Sequence, residues 1–175
     1  MRYFKVFLLS ICAIVLASCG ASRQTQADYD TLTWNYEIQP TLGQATQGSI
    51  LVKVWSYCNS KDIDNTQAAK NAVHGVLFKG VPALNTDDAR VPAQRPIVTD
   101  TDAEAKYEEF FKTFFADGGK YMKYVNFVNN GIPAPGDVIK VKNQYKVGVR
   151  VSVAKDALRK EMENAGIVKA LGAGF

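Results

Sequence analysis

The stretch VIKVKNQYKVGVRVSV, residues 138–153, decides the fold. From Tyr145 onward, Val147, Val149, Val151 and Val153 alternate with Lys146, Gly148, Arg150 and Ser152. Successive side chains of a strand point to opposite faces, so this spacing predicts a strand with one buried and one wet face. The run Val138 to Lys142 precedes it, and a turn near Asn143-Gln144 joins the two into an antiparallel hairpin. Working outward, Leu32, Trp34, Tyr36 and Ile38 alternate with polar residues up to Pro40, which predicts a half-buried strand. In SILVKVWSYC (residues 49–58), Ile50, Val52 and Val54 share one face of a second strand, and Leu51, Lys53, Trp55 and Tyr57 share the other.

The period then changes. Ala68, Ala69, Ala72, Val73, Val76 and Leu77 lie on one helical stripe, with Asp64 or Asn65 as N-cap and Gly80 as the stop. Residues 82–101 carry Pro82, Pro92 and Pro96 without a sustained period and read as a long loop. Thr101-Asp102-Ala103-Glu104 has the spacing of a capping box. Behind it Tyr107, Phe110, Phe111, Phe114 and Phe115 form an aromatic helical stripe that ends at Gly118-Gly119. A short strand or irregular element follows in KYMKYVNFV (residues 120–128), and residues 129–137 are a loop. A closing helix from about Ala154 to Asn164 buries Ala157, Leu158, Met162 and Ala165 and is capped at Gly166. Buried stripes on helices and on one sheet face are satisfied by a two-layer α+β domain over residues 31–175, a mainly antiparallel sheet with helices packed on one face.

The N-terminus has a different organisation. Arg2 and Lys5 precede an apolar run from Val6 to Leu16, and small residues lead to Cys19. That is the layout of a signal peptide, residues 1–18, with an apolar run too short for a permanent span. Leu16-Ala17-Ser18-Cys19 resembles the lipobox of bacterial lipoproteins. The resemblance implies cleavage before Cys19, a diacylglycerol thioether on its sulfur, and firm membrane anchoring by two or three acyl chains. No acidic residue stands among Gly20 to Gln24, which by analogy with enteric lipoproteins points to the outer membrane, with the domain periplasmic or surface-exposed. Residues 19–30, small and polar, read as a flexible tether.

Removing Arg2 and Lys5 from the formal charge of +4 leaves +2, too weak and too scattered for a nucleic-acid partner. Of the three cysteines, Cys12 leaves with the signal and Cys19 carries lipid, so Cys58 stands alone, without a disulfide or a multi-thiolate zinc site. Cys58 and the single histidine, His74, form the one conceivable thiol–imidazole pair; a cysteine at a strand end and a histidine within a helix more simply read as structural residues. Asp87, Asp88 and Asp102 lack the calcium-loop spacing and read as solvated or helix-start residues. Gly43 to Ser49 approaches a phosphate loop but lacks its lysine and leads into a strand. Glu108 and Glu109 are adjacent on a helix and point to different sides, unlike a glycosidase pair.

The alanine-rich helix segment AAKNAVHGVLF (residues 68–78) and the late strand YKVGVRVSVAKDALRK (residues 145–160) are similar to outer-membrane lipoproteins of the twenty-kilodalton Lpp type and to the N-terminal domain of flagellar assembly protein T. Those families are binding or assembly modules without catalytic residues, so the resemblance implies no catalytic site, cofactor or metal. The expected function is a lipid-anchored, non-enzymatic envelope module that contacts a protein partner through residues 82–101, residues 129–137 or an exposed strand edge. The alternative is a small-molecule binding protein or divergent enzyme with a pocket between the sheet and the aromatic helix.

Overall fold

The computed structural model describes residues 34–43, 45–61, 63–87 and 89–171. The signal segment, the tether and Cys19 lie outside the described residues, as do Leu32 and Thr33 of the first predicted strand. All described residues belong to one compact unit, Trp34–Phe175.

The sheet contains β1 (Tyr36–Pro40), β2 (Ile50–Cys58), β5 (Val125–Phe127), β6 (Val138–Val141) and β7 (Gln144–Val153), all antiparallel. A separate two-stranded ribbon is made by β3 (Leu84–Asn85) and β4 (Arg90–Val91). The helices are α1 (Asn65–His74), α2 (Ala103–Lys106), α3 (Glu108–Phe114) and α4 (Lys155–Asn164). This is an α+β domain.

Strand β7 is the axis of the sheet. Its residues 145–153 pair with β2, from Val153 opposite Ile50 to Tyr145 opposite Cys58, and β1 pairs with the far side of β2. Its other flank is shared: Val151–Val153 pair with β5 and residues 144–147 pair with β6. Strands β5 and β6 are therefore two halves of one edge strand. Residues 128–137 leave the sheet between them and return where the Gly148 amide donates to the Asp137 carbonyl at 2.7 Å.

The alternating valines behave as expected. Val147, Val149, Val151 and Val153 are wholly buried, together with Val52 and Val54 of β2, beneath α1. Helix α1 is buried all round from Ala68 to Leu77, because the sheet covers one side and the aromatic segment and Ile97-Val98 cover the other. A helix enclosed on both sides must satisfy its polar groups internally. Asn71 donates to Ser56 Oγ on the sheet (2.8 Å), and Lys70 reaches Asp117 beyond α3 (2.7 Å). Asp64 caps the helix, its carboxylate accepting from the Thr66 amide at 2.9 Å. After His74 the helix widens into a π turn, Gly75–Lys79, closed by the Gly80 amide donating to the Gly75 carbonyl.

Several expectations need correction. The first strand starts at Tyr36 rather than Leu32 and includes Pro40, which sits on the sheet edge where no ladder donor is needed. The 82–101 segment is no plain loop: it holds the β3–β4 ribbon, and the Ile97 and Val98 amides donate to the Val76 and Leu77 carbonyls within the π turn that follows α1. The capping box does not form, because Asp102 stands at the N-cap without a side-chain bond, and the helix breaks at Tyr107 into α2 and α3. The hairpin turn is Lys142-Asn143, one residue earlier than expected, with Lys142 in the left-handed region at φ 53°. The β6 arm has no buried face, since all four of its residues are exposed. His74, expected as a half-exposed helix residue, is buried, and Ala157, expected in the buried stripe of the closing helix, is exposed. The end of α4 follows expectation: Gly166, at φ 70°, lets the Ile167 amide reach the Met162 carbonyl and its own amide reach that of Glu163, a Schellman motif.

Candidate functional site

The most concentrated polar chemistry in the domain surrounds His74. Strand β1 contributes Tyr36, whose hydroxyl lies 2.5 Å from His74 Nδ1. Helix α2 contributes Glu104, whose Oε1 lies 3.1 Å from Nε2. Trp34 stacks on the imidazole, with centroids 3.7 Å apart and planes at 20°, and Phe78 and Phe115 close the remaining sides. Lys79 sits 3.7 Å above the Tyr36 ring and donates to the Tyr36 carbonyl.

The electrostatics fix the protonation pattern. Burial pushes the Tyr36 hydroxyl far above the usual tyrosine range, with the Glu104 charge adding to it, so Tyr36 keeps its proton. Burial lowers the His74 pKa, and Lys79 adds to this, against the opposing pull of Glu104. The neutral tautomer that satisfies both contacts carries its proton on Nε2: Tyr36 O–H donates to Nδ1 and Nε2–H donates to Glu104. Both ring nitrogens are thus engaged within the fold. The relay has the base-and-orienter order of an activated nucleophile, but its terminal hydroxyl is a buried, strongly protonated phenol. Chemically it joins β1, α1 and α2 through one imidazole.

Cys58 and His74 do not form a pair. The Cys58 thiol donates to the carbonyls of Ser60 (3.2 Å) and Tyr145 (3.8 Å), and burial raises its pKa. Glu104, expected to cap a helix, instead binds His74. Tyr36 and Glu104 lie 38 and 30 residues from His74, so no local spacing in the chain announces the cluster. Among the described residues there is no group of three histidine, cysteine or carboxylate side chains placed to hold a metal ion. Phe111, Phe114 and Phe115 are fully packed, and two depressions lined by described residues lie away from them.

The first depression, of about 210 Å³, lies between the β1–β2 turn and the segment after β4, lined by Pro40, Leu42, Ile50, Val91, Pro92 and Gln94 among others. The second is open and lined by Lys61, Pro133, Val138, Lys140 and Tyr145. It lies over the face that Val138 and Lys140 of β6 share with Tyr145 of β7. Of the seven large apolar side chains that stand exposed among the described residues, three are on β6, Val138 (40 %), Ile139 (44 %) and Val141 (38 %), and a fourth, Ile132 (62 %), is in the segment that leads into it. The 128–137 excursion that leads into this edge is pinned to the start of α1. Asn129 and Asn130 adopt left-handed backbone, Gly131 has φ 78°, and Asn65 Nδ2 donates to the Asn130 carbonyl at 3.3 Å. The other edge strand, β1, differs. It buries Tyr36 and Ile38, exposes Glu37 and Gln39, and has one carbonyl taken by Lys79.

Comparison with protein-family models, with curated proteins and with solved structures returns no match for this chain.

Proposed function

We propose that this protein is a lipid-anchored cell-envelope module, held to the outer membrane through Cys19, that acts without catalysis by binding a protein partner along the outer edge of β6 and the adjoining 129–137 segment. The observation that carries the contact is the apolar exposure of that edge: Val138, Ile139 and Val141 on the strand, with Ile132 exposed in the segment before it. Among the described residues no strand pairs with the outer side of β6, and such an edge offers main-chain donors and acceptors, with exposed apolar side chains to add burial when a strand is added. The His74 cluster supports the same reading, since its polar groups are consumed in holding the scaffold together.

A photo-crosslinking residue in place of Ile139, in the full chain expressed in its native host, tests the contact. A discrete adduct at that position, and none from Lys160 on the exposed side of α4, is the expected result. Failure at both positions refutes the contact. The anchor is tested separately: Cys19→Ala is expected to abolish palmitate incorporation and to release the protein from the membrane fraction.

A second reading, a small-molecule binder, is favoured by the depression of about 210 Å³ beside Pro40 and Val91, whose lining is largely apolar.

A further inference from the structure

Resting on the reading of the β6 edge as a docking surface, we infer that its occupant is an extended acidic segment of another protein, with carboxylate and apolar side chains in alternation, added as a further antiparallel or parallel strand. The two faces of β6 differ in chemistry. Val138 and Lys140 pair with Val147 and Tyr145 and share their face, while Ile139 and Val141 share the face of Lys146 and Gln144. Lys61 and Lys140 line the same depression on the first face, and Lys142 stands in the adjoining turn. Among the described residues no carboxylate is paired with Lys61, Lys140 or Lys142. The acid beside the strand, Asp137, is buried and already holds Lys53 at 2.8 Å. The second face is apolar at Ile139 and Val141, and its lysine, Lys146, is satisfied by Glu37 at 2.8 Å.

A strand laid along this edge would set alternate residues against these two faces. Carboxylates are favoured on the face that carries Lys140 and Lys61, and apolar side chains on the face of Ile139 and Val141. The same charges argue against a second copy of this chain. Pairing β6 with β6 would bring the Lys140 and Lys142 side chains of both copies onto one short ladder, and like charges there are destabilising. Edge lysines are a device against self-pairing, and one that an acidic partner turns into attraction.

The test uses the full chain in detergent micelles and three fluorescein-labelled seven-residue peptides: alternating valine and glutamate, alternating valine and lysine, and alternating proline and glutamate. Anisotropy is expected to show the valine–glutamate peptide binding roughly tenfold more tightly than the other two, the effect of two exposed ion pairs. Lys61→Glu with Lys140→Glu is expected to transfer the preference to the lysine peptide. Both positions are exposed, and an unchanged urea midpoint verifies the fold. Ile139→Asp is expected to weaken binding of the acidic peptide. Equal binding of the two valine peptides overturns the acidic partner and leaves the docking edge standing. Equal binding of the proline peptide overturns strand addition in favour of charge alone. A wild-type dimer in sedimentation that Ile139→Asp dissociates overturns the inference in favour of a second copy. Binding of no peptide, together with no adduct from Ile139 in the crosslinking experiment, overturns both.

Discussion

Lowering the pH from 7.5 to 5.5 is expected to weaken the native state through His74 alone. The chain has a single histidine, and its imidazole is almost wholly enclosed, with 5 % of the side chain exposed. Two forces compete there. Desolvation disfavours the imidazolium, whereas Glu104 at 3.1 Å favours it. Glu104 is 42 % exposed, so water and salt screen its charge, and the burial of the ring wins. The Tyr36 hydroxyl reinforces this, because a protonated Nδ1 would displace the O–H that donates to it. The folded pKa therefore lies below the unfolded value of about 6.5. Stability is fully present above that value and is lost as pH falls toward the folded pKa, since the unfolded chain binds a proton that the native state refuses. At pH 5.5 the loss cannot exceed about 1.4 kcal/mol, the limit for a ring that stays neutral throughout in the native state. The carboxylates whose pKa values are lowered, Glu37 and Glu161, act in the same direction but below this window. Urea unfolding followed by tryptophan fluorescence reads the effect directly, because Trp34 lies on the imidazole. The midpoint should fall by pH 5.5 in the wild type and stay level in His74→Phe. A wild-type midpoint that is flat or rises, or a fall that persists in the variant, refutes the reasoning.

Other perturbations act through packing and backbone. Tyr36→Phe keeps the ring beneath Lys79 but orphans Nδ1 in a buried site, a cost of about 1–3 kcal/mol that should vanish when measured in the His74→Phe background by a double-mutant cycle. Phe111→Ala empties a fully buried site beside Phe78, Phe110 and Phe115 and should lower stability by about 3–5 kcal/mol in urea titrations. Gly148→Ala places a methyl 2.9 Å from the Trp55 ring in the middle of β7; overpacking of about 1–3 kcal/mol is expected, and Trp55→Leu should relieve it. Gly131→Ala meets the Asn65 amide at 2.3 Å and carries the penalty of positive φ, so faster amide exchange is expected in residues 128–137 and at the start of α1.

Most of the architecture is legible in local patterns. The valine alternation of β7 and the alanine stripe of α1 specify their elements because each periodicity has one geometric meaning. Where reading failed, a second consideration overrode the pattern. Glu104 has the spacing of a capping-box carboxylate, yet a buried imidazole offered it a better donor. The β6 run is expected to share the buried face of its hairpin, yet all four of its residues are exposed. Ala157 fits the apolar stripe of α4 but ends up on its exposed side.

By itself the sequence determined the class of fold and the main strands and helices, though not the β3–β4 ribbon or the break at Tyr107, since those elements rest on periodicities within a few turns of chain. Only the tertiary structure decided that Tyr36, His74 and Glu104 meet, and that β5 and β6 form one interrupted edge with its apolar side chains open to solvent. Both depend on residues far apart in the chain being brought together by the burial of α1 against the sheet. Burial follows total packing rather than any local signal, and for that reason it is where the candidate sites of this protein were hidden.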